Sequence, residues 1–264
     1  MTAVSPARVP VLMYHEIAEV SESGSRLAVS PASFAAQLGY LRSAGFTAIT
    51  AGELLAAWAG GTGKLPDRPI VLTFDDGYED FHSRAMPLLA QYGCTATLFV
   101  TSGWLQDADM RLEAADRMLN RTQLAEVAAA GVEIGAHTRR HPQLDQLPRQ
   151  QVRQELCTSK QWLEDKLGLP VPGLAYPFGY SSAGVREVAR EAGYGYACAV
   201  SNKTAGPGSD LLKLPRLTVR QATTLPAFRR LAAGQATMGL LEDRALTKSW
   251  AGVRRARGLL HAAR

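Results

Sequence analysis

Pro69-Ile70-Val71-Leu72-Thr73-Phe74-Asp75-Asp76-Gly77 opens on an apolar run and closes on two adjacent carboxylates. The run Pro69 to Leu72 reads as a buried strand. Adjacent side chains at a strand end diverge, so one Asp can hold a metal ion while its neighbour takes a proton from water. Taken alone, Asp-Asp-Gly also reads as an ordinary turn, because Asp and Gly are both turn formers.

A second stretch tips the balance toward a metal. Val132-Glu133-Ile134-Gly135-Ala136 alternates like a strand and delivers His137-Thr138-Arg139-Arg140-His141. Two imidazoles four residues apart meet one ion if the segment turns helically, and an Asp with two His leaves zinc an open position for water. A pair at this spacing also occurs at surfaces and helix caps. The chain has 5 His, however, and two of them share this loop behind a strand, as the carboxylate pair does.

The chain has 264 residues, a length that α/β barrels commonly use as one domain. A hydrophobic content of 46% and a charged content of 20% describe a globular protein and exclude a disordered one. There is no internal repeat and no low-complexity tract. Met1 to Arg8 has no basic region followed by a long apolar segment, and Val9 to Met13 is too short for a signal core or membrane span. The expected location is therefore the cytoplasm. Cys94, Cys157 and Cys198 carry no zinc or redox spacing and read as small core residues.

The net charge of +5 is unevenly placed. Residues 244–264 hold Arg244, Lys248, Arg254, Arg255, Arg257 and Arg264 and no acid, which leaves the body near −1. A catalytic unit over residues 1–243 and a basic helical tail over 244–264 is the expected division. The tail reads either as a solvated helix or as a peripheral contact with an anionic membrane or another protein. Nothing points to nucleic acid, since no binding motif is present and aromatics do not interleave with the basic residues.

Strand-like runs recur at Val9 to His15, Phe46 to Thr50, Pro69 to Phe74, Thr95 to Val100, Val132 to His137, Leu174 to Phe178, Tyr194 to Val200 and Leu214 to Val219. Helical patterns separate most of them. Phe34, Leu38 and Leu41 share a face that Gly45 ends; Thr50 and Glu53 form a capping box. Phe81 to Tyr92 stops at Gly93 with a kink expected at Pro87, and Pro148 fits the first turn of a helix through Leu167. Val185, Val188 and Ala192 mark another before Gly193. This order predicts a distorted, TIM-barrel-like (β/α) barrel of seven to eight parallel strands. Residues at the carboxyl ends of barrel strands converge on one face, which gathers His15, Asp75, Asp76, His137, His141 and Phe178 on a single rim.

Together with Ala175-Tyr176-Pro177-Phe178-Gly179, the Thr-Phe-Asp-Asp-Gly and His-Thr-x-x-His motifs resemble the polysaccharide deacetylases of carbohydrate esterase family four, the NodB homology family. The resemblance runs from about Val9 to Val219. It implies Asp75 as catalytic base and Asp76, His137 and His141 as ligands of a divalent metal, zinc above all. It also implies that Tyr176-Pro177-Phe178 contacts substrate, with the Phe178 N–H on the acetyl oxygen. The implied reaction is hydrolysis of the N-acetyl amide of a sugar, with an N-acetylated carbohydrate as partner.

Two positions depart from the family pattern. The Arg that opens the third motif is replaced by Ala175, and Arg216 in Leu214-Pro215-Arg216-Leu217 is the nearest substitute, either pairing with the base or forming a rim salt bridge. The C-terminal Leu-x-His that supplies the family's acid is missing; Leu259-Leu260-His261 mimics it without strand character. His15 in Val11-Leu12-Met13-Tyr14-His15 resembles the acid of the subgroup whose motif order is circularly permuted, because first and last strands of a closed barrel are neighbours. Tyr14, Tyr176, Phe178 and Trp104 are candidates to stack on a sugar ring or to pack in the core. A non-sugar amide, imide or formamide hydrolase and an inactive carbohydrate-binding relative remain as alternative functions on the same fold. Oligomeric state is not legible.

Overall fold

The computed structural model describes residues 8–19, 25–59, 64–107 and 116–235. Its strands are β1 (Val11–Tyr14), β2 (Thr47–Ile49), β3 (Pro69–Phe74), β4 (Thr97–Val100), β5 (Glu133–Ala136), β6 (Gly173–Ala175), β7 (Tyr196–Cys198) and β8 (Leu217–Thr218). They form one sheet in the order β7-β6-β5-β4-β3-β1-β8, with β2 added on β3. Every pair is parallel. The fold is a distorted (β/α) barrel, as the β-then-α order predicts.

Closure comes from the segment expected as a continuous last strand. Leu214 bridges Cys198 at the end of β7 and then Leu217–Thr218 pairs with β1. Pro215, which has no N–H for a ladder, lies between the two pairings. The chain thus crosses from one end of the sheet to the other, and β1 lies between β3 and β8.

Strand parity decides which side chains enter the barrel, because successive residues face opposite sides. Leu12, Tyr14, Ile70, Leu72, Phe74, Leu174 and Tyr176 join the large core beneath the helices. Val11, Val71, Phe99, Ala175, Tyr196 and Cys198 form a smaller cluster in the lumen. Continuing the inward register by two places His15 after Met13, Asp75 after Thr73 and Arg216 after Leu214 on the inner side. Gly135 and Gly173 leave room there: an added Cβ would sit 2.4 Å from the Phe99 ring and 2.3 Å from the Tyr196 hydroxyl.

The helices are α1 (Pro31–Ser43), α2 (Ala51–Trp58), α3 (Met86–Tyr92), α4 (Arg121–Ala129), α5 (Arg149–Leu167), α6 (Ala183–Glu191) and α7 (Leu225–Ala232). The Thr50–Glu53 capping box is present. The N-terminus of α2 closes the far end of the lumen, where Glu133 accepts from Gly52 N (3.0 Å), Thr97 Oγ1 (2.8 Å) and Tyr196 Oη (2.9 Å). A partly buried carboxylate is stabilised there by hydrogen bonds and the helix dipole.

Several expectations need adjusting. The kink at Pro87 is a π turn over Phe81–Ala85 that precedes α3. Pro148 is the N-cap of α5, one position before the helix. α4 and α7 lie outside the helical patterns read from the sequence, although Asn120 with Gln123 makes a second capping box and Thr224 with Pro226 a recognisable start. Only Cys198 is a core cysteine; Cys94 and Cys157 are partly buried, and all three are free. The basic tail at 244–264, with Leu259-Leu260-His261, lies outside the described residues. No helix among the described residues is long and apolar enough to cross a membrane.

Candidate active site

The carboxyl ends of β1, β3, β5 and the β8 segment bring the sequence candidates together. Asp75 is 3% exposed and forms a two-pronged pair with Arg216, Nη1 to Oδ1 at 2.6 Å and Nη2 to Oδ2 at 2.7 Å. Arg216 is fully buried, donates also to Thr73 Oγ1 at 3.2 Å, and lies 5.6 Å from the centre of the Phe99 ring. Asn202 steadies this strand: its N–H donates to Arg216 O and its Oδ1 accepts from Thr218 N. Of the two readings left open by the sequence, the Arg216 guanidinium pairs with Asp75 inside the barrel and forms no surface bridge. Burial works against the Asp75 charge, but the Arg216 guanidinium, with His137 and His15 adding to it, holds the carboxyl below its ordinary range.

Asp76 turns the other way, with φ at 76°, in the left-handed region that non-glycine residues seldom adopt. Its Oδ1 lies 3.4 Å from His137 Nε2 and 3.3 Å from His141 Nε2. That oxygen is buried and has no hydrogen-bond partner of normal geometry among the described residues. One atom from each of the three side chains falls within 4.8 Å of the others. Donors about 2.0–2.1 Å from a tetrahedral ion stand roughly 3.3 Å apart, so this trio fits a small divalent cation.

The surroundings orient these donors. His137 Nδ1 donates to Ala175 O at 2.8 Å, which leaves Nε2, on the side of Asp76, as the ring nitrogen able to hold a cation. Ala175, which replaces the motif arginine, thus contributes its carbonyl. Trp104 packs on one side of the His141 ring and Phe178 on another, with centroids 4.9 and 4.8 Å away. Burial pulls the His141 pKa down to about 4, with His137 adding to the effect, so this imidazole is neutral and available as a ligand at neutral pH.

His15 stands just past β1 and experiences the charges of Asp76, Asp75, Arg216 and His137. Its Nδ1 is buried without a hydrogen-bond partner among the described residues, and burial lowers its pKa. Phe178 is not on a strand: Pro177–Gly179 is a short 3-10 turn, with Phe178 at φ 58° and 49% exposed. Strain of this kind concentrates at functional sites. Tyr14 and Tyr176 are fully buried, their hydroxyls donating to Gln37 Oε1 and Leu212 O. Their rings belong to the core, which leaves Tyr176 only its backbone for any substrate contact. Pro177 is also buried. Glu155 and Ser159 on α5, which no sequence motif marks, hold the loop between the two His.

Residues 62–197 match the family described as Polysaccharide deacetylase. The chain is 29% identical over 224 residues to YxkH of Bacillus subtilis (strain 168), covering 84% of this chain and 75% of that protein. It is 25% identical over 201 residues to the poly-beta-1,6-N-acetyl-D-glucosamine N-deacetylase of Staphylococcus aureus (strain MSSA476), covering 72% and 67%. Among solved structures it resembles the Streptococcus pyogenes deacetylase PplD in complex with acetate, with a TM-score of 0.77, 26% identity and coverage of 86% and 99%.

Proposed function

The chain belongs to the polysaccharide deacetylase family, and from that membership we propose that it hydrolyses the N-acetyl amide of an N-acetylhexosamine in a glycan or glycan precursor, releasing acetate. The observation that carries the proposal is a buried carboxylate, kept ionised by Arg216, next in sequence to the Asp76 that meets His137 and His141. A binding module needs no such base. The names of the Staphylococcus aureus relative and of the acetate-bound PplD support the sugar and the product.

Asp76, His137 and His141 would hold a divalent cation, with zinc suited to the one carboxylate and two imidazoles. Such an ion, when bound, acidifies water and polarises the amide carbonyl. Asp75 accepts the proton of the attacking water on a carboxylate oxygen lone pair not used by Arg216. The Phe178 N–H donates to the oxygen on which negative charge develops. His15 gives a proton to the departing amine, which is otherwise too basic to leave. The exposed face of Phe178 is available to a sugar ring.

Acetate release from N-acetylglucosamine oligomers is the direct test, run beside ureides, formamides and acetylated peptides, with and without chelator. The expected outcome is acetate from the sugar alone, lost with chelator and restored by a divalent cation. Turnover of a non-sugar amide with inert N-acetyl sugars would overturn the substrate assignment.

A further inference from the structure

The loop that carries His141 is held from the side by α5. Thr138 and His141 both adopt left-handed backbone, at φ 68° and 59°. Such residues are strained and persist only where their surroundings enforce them. Glu155 Oε2 accepts from the consecutive amides Arg139 N at 3.1 Å and Arg140 N at 2.9 Å, while Oε1 takes Arg140 Nε at 2.5 Å. One turn along the same helix face, Ser159 Oγ donates to Thr138 O at 3.0 Å. Glu155 is 1% exposed and Ser159 fully buried, so a charge has been placed in the interior to grip two backbone N–H groups. Successive amides presented this way form an anion-binding nest.

The three cation donors differ in what fixes them. Asp76 O accepts from Thr101 N, and His137 is set by its β5 ladder, with its N–H on Val100 O and Nδ1 on Ala175 O. His141 lies at the far end of the turn, its N–H on Thr138 Oγ1 at 3.0 Å. Its position therefore depends on a turn that Glu155 grips from α5 and that Ser102 N and Gly103 N hold from the opposite side through Thr138 O and Arg139 O. Resting on the cation site proposed above, we infer that Glu155 is a positioning residue: its grip on the Arg139 and Arg140 amides places His141 and so sets the affinity of the site for a divalent cation. The hydrogen bonds of Glu155 go to Arg139 and Arg140 and not to the cation donors.

The test is zinc competition against a chromophoric chelator, on full-length wild-type and Glu155→Gln proteins, with melting of the metal-free proteins followed in parallel. Glu155→Gln should bind zinc about 10- to 100-fold more weakly, the usual consequence of losing a residue that orients a ligand. At saturating zinc, kcat should recover with KM for the sugar unchanged. Zinc affinity within twofold of wild type overturns the inference, even if the melting temperature falls, because that pattern marks a purely structural glutamate. Should Glu155→Gln fail to fold, Glu155→Asp keeps the charge but is one methylene too short to reach both amides. The same weakening is expected of it, and unchanged affinity overturns the inference equally. Wild-type protein that takes up no zinc refutes the cation site itself, a result distinct from wild-type binding with unaltered variants.

Discussion

Asp75→Asn should retain its divalent cation and lose acetate release, with kcat lower by about 10²–10⁴-fold, the usual contribution of a positioned base. The amide occupies the same place but has no basic oxygen to take a proton from water. The variant also removes the counter-charge of a guanidinium with no solvent exposure. Breaking a buried pair from one side typically costs about 3–5 kcal/mol, and the Asn carbonyl, which still accepts one bond from Arg216, offsets part of it. Activity should therefore be measured well below the melting transition, with circular dichroism confirming the fold. Turnover within tenfold of wild type in a folded, cation-loaded variant would remove Asp75 from the role of base.

Arg216→Met has the second large effect, and its signature is a displaced pH profile. In the native protein burial favours the neutral Asp75 carboxyl, and Arg216, together with His137 and His15, reverses that preference. Without Arg216 the burial effect stands with less opposition, so the Asp75 pKa rises. A base works in its ionised form, so the acid limb of kcat/KM should move to higher pH and activity lost at low pH should return as the pH is raised. The linkage to stability has the matching sign. A depressed carboxyl contributes stability above its unfolded pKa of about 3.9, and that contribution disappears as the pH falls through the folded value. An acid limb unmoved in Arg216→Met would mean that the pair is structural only.

Much of this arrangement was legible because strand patterns carry parity. His15, Asp75, His137 and Arg216 lie in strand-end segments whose alternation could be read from Val11, Val71, Gly135 and Leu214. The same rule applied to Tyr14 and Tyr176 would have sent both rings into the outer core, where they lie. What the sequence withheld is contact between distant segments. Arg216 and Asp75 are 141 residues apart, and neither stretch alone distinguishes a lumen pair from a rim salt bridge. Backbone turns were also hidden: Phe178 follows a strand pattern yet adopts φ 58°, a conformation that composition does not announce for an aromatic residue. Trp104, a stacking candidate in the sequence, packs on His141. Glu155 gave no signal because an acid beside Leu156 on a long helix reads as solvated surface, while the loop it grips arrives from β5.

The central claim is that Asp76, His137 and His141 share one divalent cation, and counting bound metal tests it without reference to substrate. Protein prepared without added ions, then dialysed against trace zinc, should hold one cation per chain, while folded His137→Ala and Asp76→Ala proteins should hold close to none under the same conditions. Zinc stoichiometry unchanged in those variants would contradict the site and the mechanism built on it.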